Sequence, residues 1–360
     1  MNHLNAITAQ LDAYQLDALC ITSQPGEYYA VGLKGEGVVL VTRQGCHYFT
    51  DSRYIELAQN TVTNADVTMV TPHQDHLALA SLVLEHYGLK RVGIEEAYLT
   101  VERWQKMKTA FPADTELVPA GKLLTELRSA KTEEELAVMQ KAQDITDQVF
   151  AEICDFLHAG VTESEVAAQL TYLQMKHGAE GNSFPPIVAS GANGSMPHAI
   201  PTAKPIQKGE FVTMDFGCIY EGYCSDMTRT VFIGQPSEEL QHAFSTLRTI
   251  NETCEALIKE GIKASVVHEQ AETMLTDAGY KGKMGHSLGH SVGIDIHESP
   301  TLSPSNSKTL EKGNVVTVEP GIYLPGKFGM RLEDFGVVRE TGFEVFTQSS
   351  HKMFIIDKLD

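Results

Sequence analysis

Glu210-Phe-Val-Thr-Met-Asp-Phe-Gly-Cys-Ile-Tyr220-Glu-Gly-Tyr-Cys-Ser-Asp-Met-Thr-Arg-Thr-Val-Phe-Ile233 is the stretch on which the fold of this chain turns. Two β-like runs, Glu210 to Tyr220 and Tyr223 to Ile233, flank Glu221-Gly222, a two-residue turn of the kind that closes a hairpin. With Tyr220 opposite Tyr223, partner numbers sum to 443, and Asp215 faces Thr228. Asp226 lies two residues from Thr228, so the two aspartates become diagonal neighbours about 7 Å apart by backbone. A slip of one residue would separate them.

These acids stand among Phe211, Val212, Met214, Val231 and Phe232. Desolvating an unpaired carboxylate costs roughly several kcal/mol or drives its pKa upward, and a like charge beside it adds to the penalty. A cation removes that penalty. Taken singly, each acid also reads as a surface residue at a strand end.

Working outward, Thr132 with Glu135 makes a capping box, and Leu136, Met139, Ile145, Val149, Ile153 and Leu157 keep helical spacing up to Gly160. Thr162 with Glu165 repeats the device for a helix ending at Gly178. Beyond the hairpin come a helix from Ser237 to about Glu260, another from Ser265 to Ala278, and β-like runs Val315 to Leu324 and Met330 to Arg339. Two helices and a hairpin thus occur twice, which predicts an α+β catalytic domain with a pseudo-two-fold repeat. The second hairpin also carries two acids, Glu319 and Glu333, in apolar runs. Four carboxylates balance two divalent ions. Between the halves, Gly285-His286-Ser287-Leu288-Gly289-His290-Ser291-Val292-Gly293 has too many glycines for a helix and predicts backbone packed close to a ligand, with one imidazole for the site. Such an oxygen-rich set suits manganese, cobalt or zinc.

The first part of the chain alternates β-like runs (Asp17 to Thr22, Val38 to Thr42, His47 to Thr50, Val67 to Val70, Arg91 to Ile94) with helical patterns, predicting a small α/β domain. The polar stretch from Pro119 to Lys131 is the expected boundary, giving domains 1–125 and 130–360. A chain of 360 residues with 42% hydrophobic and 21% charged residues is globular. Its 47 acidic against 28 basic side chains, net −19, argue against nucleic acid and anionic membranes as partners. The start lacks a secretory pattern, nowhere do eighteen apolar residues run together, and the six cysteines form no Cys-x-x-Cys pair, so a reducing cytoplasm is expected.

Met214-Asp215-Phe216-Gly217, Ser225-Asp226-Met227-Thr228-Arg229-Thr230, Gly289-His290, Val318-Glu319-Pro320-Gly321-Ile322-Tyr323 and Arg331-Leu332-Glu333-Asp334 together resemble the metal signature of the pita-bread metallopeptidases. The separations of 11, 64, 29 and 14 residues between Asp215, Asp226, His290, Glu319 and Glu333 resemble those of the Xaa-Pro branch, and the first domain looks like the creatinase-type domain of aminopeptidase P and prolidase. The resemblance implies that Asp226 and Glu333 bridge two divalent ions, manganese first among them. Asp215 would bind one ion, and His290 with Glu319 the other. It also implies that Glu319 relays a proton, that His198 and His297 contact substrate and stabilise the oxyanion, and that Arg331 lies by the substrate near the second metal. Ser287 and Ser291 depart from the family's usual glycines, and His286 has no assigned part. Phe49-Thr50-Asp51-Ser52-Arg53-Tyr54 looks more like short aminopeptidase P than prolidase. The expected substrate is a proline-containing peptide cut at the Xaa-Pro bond, and by resemblance the chain forms a homodimer or higher homo-oligomer. A dipeptidase and a metal-free binding module remain the alternatives; no metal ligand is missing here, which counts against the latter.

Overall fold

The computed structural model describes residues 3–357, which form two compact units dividing between Arg128 and Ser129. In the first unit six strands run in the order Asp66–Met69, Cys46–Thr50, Val38–Thr42, Ala18–Ile21, Arg91–Ile94 and Glu116–Pro119. Val38–Thr42 is antiparallel to both neighbours, and the remaining pairs are parallel. The central Ala18–Ile21 and Val38–Thr42 are buried at every position, because helices cover both faces of such a sheet. Glu116–Pro119 has no counterpart in the sequence reading: it is four residues long and ends in proline, which an edge strand tolerates. The stretch Pro119 to Lys131, expected as a polar boundary, is mostly helix. Gly121–Ser129 turns Leu123 and Leu124 inward and Lys122 and Glu126 outward, so its polar composition reflects one solvated face.

In the second unit the helix Glu133–Phe156 opens on the expected box, with Thr132 N donating to Glu135 Oε2 (2.8 Å) and Glu135 N to Thr132 Oγ1 (3.3 Å). Thr162 and Glu165 do the same for Glu163–Lys176. Ile145, Val149, Ile153, Val166 and Leu170 of these helices share a core with Val212, Met214 and Val231 of the first hairpin. A second core joins Leu247, Ile250, Val267 and Leu275, from helices Glu238–Leu257 and Ala264–Asp277, to Val316, Val318, Met330 and Val338 of the second hairpin. Each hairpin packs mainly on the helices of its own half, with Phe211 and Phe232 of the first reaching into the second core, and the two α+β halves repeat one another.

The turn residues Glu221 (φ 41°) and Gly222 (φ 74°) are both left-handed, and partner numbers sum to 443 from Tyr220↔Tyr223 to Phe232↔Phe211, with Asp215 opposite Thr228. In the second hairpin partners sum to 652, from Leu324↔Phe328 to Val315↔Val337. The strands are not continuous, however. The ladder stops at Phe216 and resumes at Cys218, and its partner strand stops at Cys224 and resumes at Met227. The second hairpin breaks likewise after Val318 and after Arg331. Pro320 has no N–H for the ladder, and at Gly217 any side chain would overlap the Ser225 carbonyl. The breaks leave Asp226, Glu319 and Glu333 outside the regular pairing. One isolated bridge, Thr228↔Glu333, with Glu333 N donating to Thr228 O (3.1 Å), joins the two hairpins.

Candidate metal centre

The site is built where the hairpins meet. Strand Phe211–Phe216 contributes Asp215, the ladder breaks contribute Asp226, Glu319 and Glu333, and the short strand Gly289–Ser291 contributes His290. Asp226, His290 and Glu333 each bring a ligand atom within 4.8 Å of the others. His290 Nε2 lies 3.6 Å from Asp226 Oδ2 and 3.5 Å from Glu319 Oε1. Asp215 stands outside that tight group, its Oδ2 accepting from Arg331 Nη2. Asp215 Oδ1 and Asp226 Oδ1 are buried with no hydrogen-bond donor.

Four carboxylates here face a single guanidinium. Arg331 Nε is 3.9 Å from Glu319 Oε2 and 4.0 Å from Glu333 Oε2. Burial, followed by repulsion among the acids, holds Asp226 and Glu333 well above the usual carboxylate range. Burial outweighs the pull of Arg331 at Glu319, which is pushed up to about 8, and at Asp215, which is also raised. Burial pushes His290 and His286 down to about 4, so both imidazoles are neutral at pH 7 with a lone pair to offer. Buried acids that repel one another, two orphaned carboxylate oxygens and a neutral imidazole at one point form a donor set that fits divalent cations.

The surroundings orient these groups. His290 Nδ1 meets Ser291 O at 3.1 Å, so Nδ1–H donates there and Nε2 faces the acids. Gly289 packs so tightly on the Thr317 carbonyl that any side chain would overlap it, and His290 N donates to Thr317 Oγ1 (3.0 Å). The glycine thus serves close packing against a strand rather than against a ligand. Arg331, expected beside the substrate, has a side chain only 4% exposed; its Nε donates to Thr228 Oγ1, its Nη1 to Tyr323 Oη (2.8 Å) and its Nη2 to Asp215. These bonds hold Asp215 in place, and Nη1 also reaches Pro197 O (3.4 Å), the neighbour of His198. Tyr323 Oη in turn meets His286 Nε2 at 3.1 Å, while His286 Nδ1 meets Ser287 O at 2.7 Å. With Nδ1 protonated, Nε2 accepts from Tyr323, so His286 ends a chain running from Arg331. Thr228 Oγ1 donates to Glu333 Oε2 (2.6 Å). The sequence reading missed Tyr323 and Thr228. The register could have found Tyr323, which is two residues beyond Gly321, the partner of Arg331, and therefore its diagonal neighbour.

His198 and His297 are both exposed. The His297 ring stands edge-on to His290 at 4.4 Å between centroids, and the charge of His198 acts on Asp215 and His297. Ser291 turns its hydroxyl to Lys131 Nζ (2.9 Å), away from the acids. A neighbouring cluster, Glu255, Asp334 and His351, already holds a cation: Arg229 Nη2 donates to Asp334 Oδ1 (2.6 Å), and its Nη1 donates to Thr228 O (3.0 Å) and Glu333 O (2.6 Å).

Comparison with known proteins agrees with this architecture. A sequence profile of metallopeptidase family M24 matches residues 137–340, and one of the creatinase/prolidase N-terminal domain matches residues 3–130. A peptidase of Bacillus subtilis is 36% identical over 343 residues, 95% of this chain and 96% of the relative. Among solved structures, a Xaa-Pro dipeptidase from Bacillus anthracis is similar with a TM-score of 0.93 and 33% identity, covering 98% of both chains. An X-Pro aminopeptidase from Thermotoga maritima is similar with a TM-score of 0.92 and 31% identity, covering 99% of this chain and 100% of that one. With its buried acids at the meeting point of two matching hairpins, the chain belongs to metallopeptidase family M24 and carries a creatinase/prolidase-type N-terminal domain.

Proposed function

We propose that this protein hydrolyses the peptide bond that precedes proline, releasing the N-terminal residue of peptides with proline second. Residues 130–360 would form the catalytic domain and 1–125 the creatinase-type domain. Asp215, Asp226, His290, Glu319 and Glu333 would hold two divalent cations, with manganese preferred over cobalt or zinc. The observation that carries this reading is the buried donor set with two orphaned carboxylate oxygens beside two exposed histidines. The Xaa-Pro specificity is supported by the names of the similar Bacillus anthracis and Thermotoga maritima proteins.

Divalent cations bound there supply Lewis acidity and an ionised water at neutral pH. The chain's own groups do the rest. Arg331, braced by Tyr323 and Thr228, keeps Asp215 aimed. His198 and His297, on the open side, donate N–H groups to the carbonyl oxygen as its charge develops. A Glu319 carboxyl oxygen takes a proton and returns it to the departing proline nitrogen, which had no hydrogen of its own.

A dipeptidase confined to Xaa-Pro is the second reading, favoured by the Bacillus anthracis relative. Metal-stripped protein refilled with manganese, cobalt or zinc and offered Xaa-Pro and Xaa-Pro-Xaa peptides decides. Cleavage of the longer peptide supports the aminopeptidase, cleavage of the dipeptide alone supports the second reading, and cleavage of neither rejects Xaa-Pro specificity. Six free thiols support a reducing cytoplasmic setting, and a homo-oligomer is expected on sedimentation.

A further inference from the structure

A lysine sits buried behind the metal centre, where the proposed mechanism gives it nothing to do. The Lys131 side chain is 2% exposed, and its Nζ donates to Ser291 Oγ at 2.9 Å and to Glu298 Oε2 at 3.2 Å, the Glu298 side chain being 5% exposed. Taking an ammonium and a carboxylate out of water is expensive, and replacing such a pair with apolar groups is often neutral or stabilising. Its place therefore calls for a reason other than stability.

The partners supply that reason. Ser291 and Glu298 are opposite one another in the pairing of Gly289–Ser291 with Glu298–Leu302, and that pairing is irregular, with a register shift between Gly289 and Ser291. An isolated two-stranded ribbon is marginally stable on its own. Lys131 grips both strands at the mouth of the 292–297 loop. His290 immediately precedes one gripped residue and His297 immediately precedes the other. The Ser291 carbonyl, on the residue whose hydroxyl Lys131 holds, is the acceptor that fixes the His290 ring. Glu298 Oε1 also accepts from Asp295 N inside the loop (3.0 Å). Lys131 is itself anchored, because its N–H donates to Gly313 O (2.8 Å) just ahead of Val315–Val318, and Thr132 caps the long helix.

The geometry points to Lys131 as a positioning residue: its ammonium clamps the two ends of the 292–297 loop and so sets the aim of His290 and His297 at the metal centre. This rests on His290 being a ligand. Partners that orient a ligating histidine change metal affinity or activity by about 10- to 100-fold when removed.

Titration of metal-stripped protein with Mn2+, followed by the EPR signal of the free ion, tests the clamp without calling on turnover. Lys131→Met is expected to weaken Mn2+ binding by about 10- to 100-fold, Lys131→Arg to recover most of that loss, and Leu170→Ala, a destabilising change in the first-half core, to leave the isotherm in place. A Lys131→Met isotherm that overlies the wild type, or that shifts no more than that of Leu170→Ala, overturns the proposal. Should Lys131→Met fail to fold, Lys131→Met/Glu298→Gln, which leaves no unpaired buried charge, is read in the same way. His290→Ala separates the two layers of the argument. Unchanged Mn2+ binding in that variant removes the ligand assignment and the clamp's purpose with it, whereas loss there with none in Lys131→Met removes the clamp alone.

Discussion

Asp226 is the residue on which the centre most depends, being 3% exposed, with one oxygen 3.6 Å from His290 and the other lacking a donor. Asp226→Asn keeps the shape and removes the charge. Peptide cleavage should fall to background while the thermal midpoint of the metal-free protein stays level or rises, since one repelling charge is gone; near-normal turnover would reject its role as a metal ligand. The sequence made this acid visible because its turn, Glu221-Gly222, fixes the register and its neighbours are apolar. Tyr323, Thr228 and Lys131 were not visible in the same way. Hydroxyls and an ammonium are ordinary on a surface; the hairpin register could have pointed to Tyr323, but only the folded chain brings Ser291 to Lys131, 160 residues away. The bonds of Arg331 are hidden for the same reason: its charge is plain in the sequence, but the groups that occupy its donors, Thr228, Pro197 O, Tyr323 and Asp215, are not.

Among the elements, the capped helices and the first hairpin were legible because their signals are local, Thr132/Glu135 and Thr162/Glu165 above all. The interrupted ladders were not, although Gly217 and Pro320 are strand breakers visible in the sequence, because the apolar runs on either side of them read as continuous. Helix Gly121–Ser129 was overlooked because only Leu123 and Leu124 of its nine residues are buried. Gly289 is where an element and the centre meet most closely. Gly289→Ala forces the strand off the Thr317 carbonyl, and about 1–3 kcal/mol of stability should be lost, together with weaker Mn2+ binding as His290 moves. Denaturation and metal titration on the same preparation check both, and an unaltered isotherm would show that His290 does not need that contact.

For the whole molecule, stability should follow metal and pH. Cations that bind only the folded chain add about 2.7 kcal/mol per site at a hundred times their dissociation constant. The melting midpoint is therefore expected to climb with added manganese and fall back with chelator, and a midpoint indifferent to both would contradict the metal centre. Burial pulls His351 down, but the hydrogen bond and charge of Asp334 outweigh it and raise it above its usual 6.5. Protonated, it donates to Asp334 Oδ2 (2.7 Å) and to Glu252 Oε1 (3.3 Å). A raised folded pKa gives stability that is full below about pH 6.5 and fades as pH rises through the folded value. His351→Gln should thus lag the wild type most in acid, with the gap closing toward alkaline pH. A gap that widens with pH would reverse the assignment.

The bridge between Thr228 and Glu333 also dictates when the centre can exist. Its two sides are 105 residues apart, and a nascent polypeptide still short of Glu333 carries the earlier acids and His290 with nothing to close the ring. On the proposed ligand set, truncated or half-translated chains are therefore expected to bind divalent ions poorly, and metal loading to follow rather than accompany synthesis.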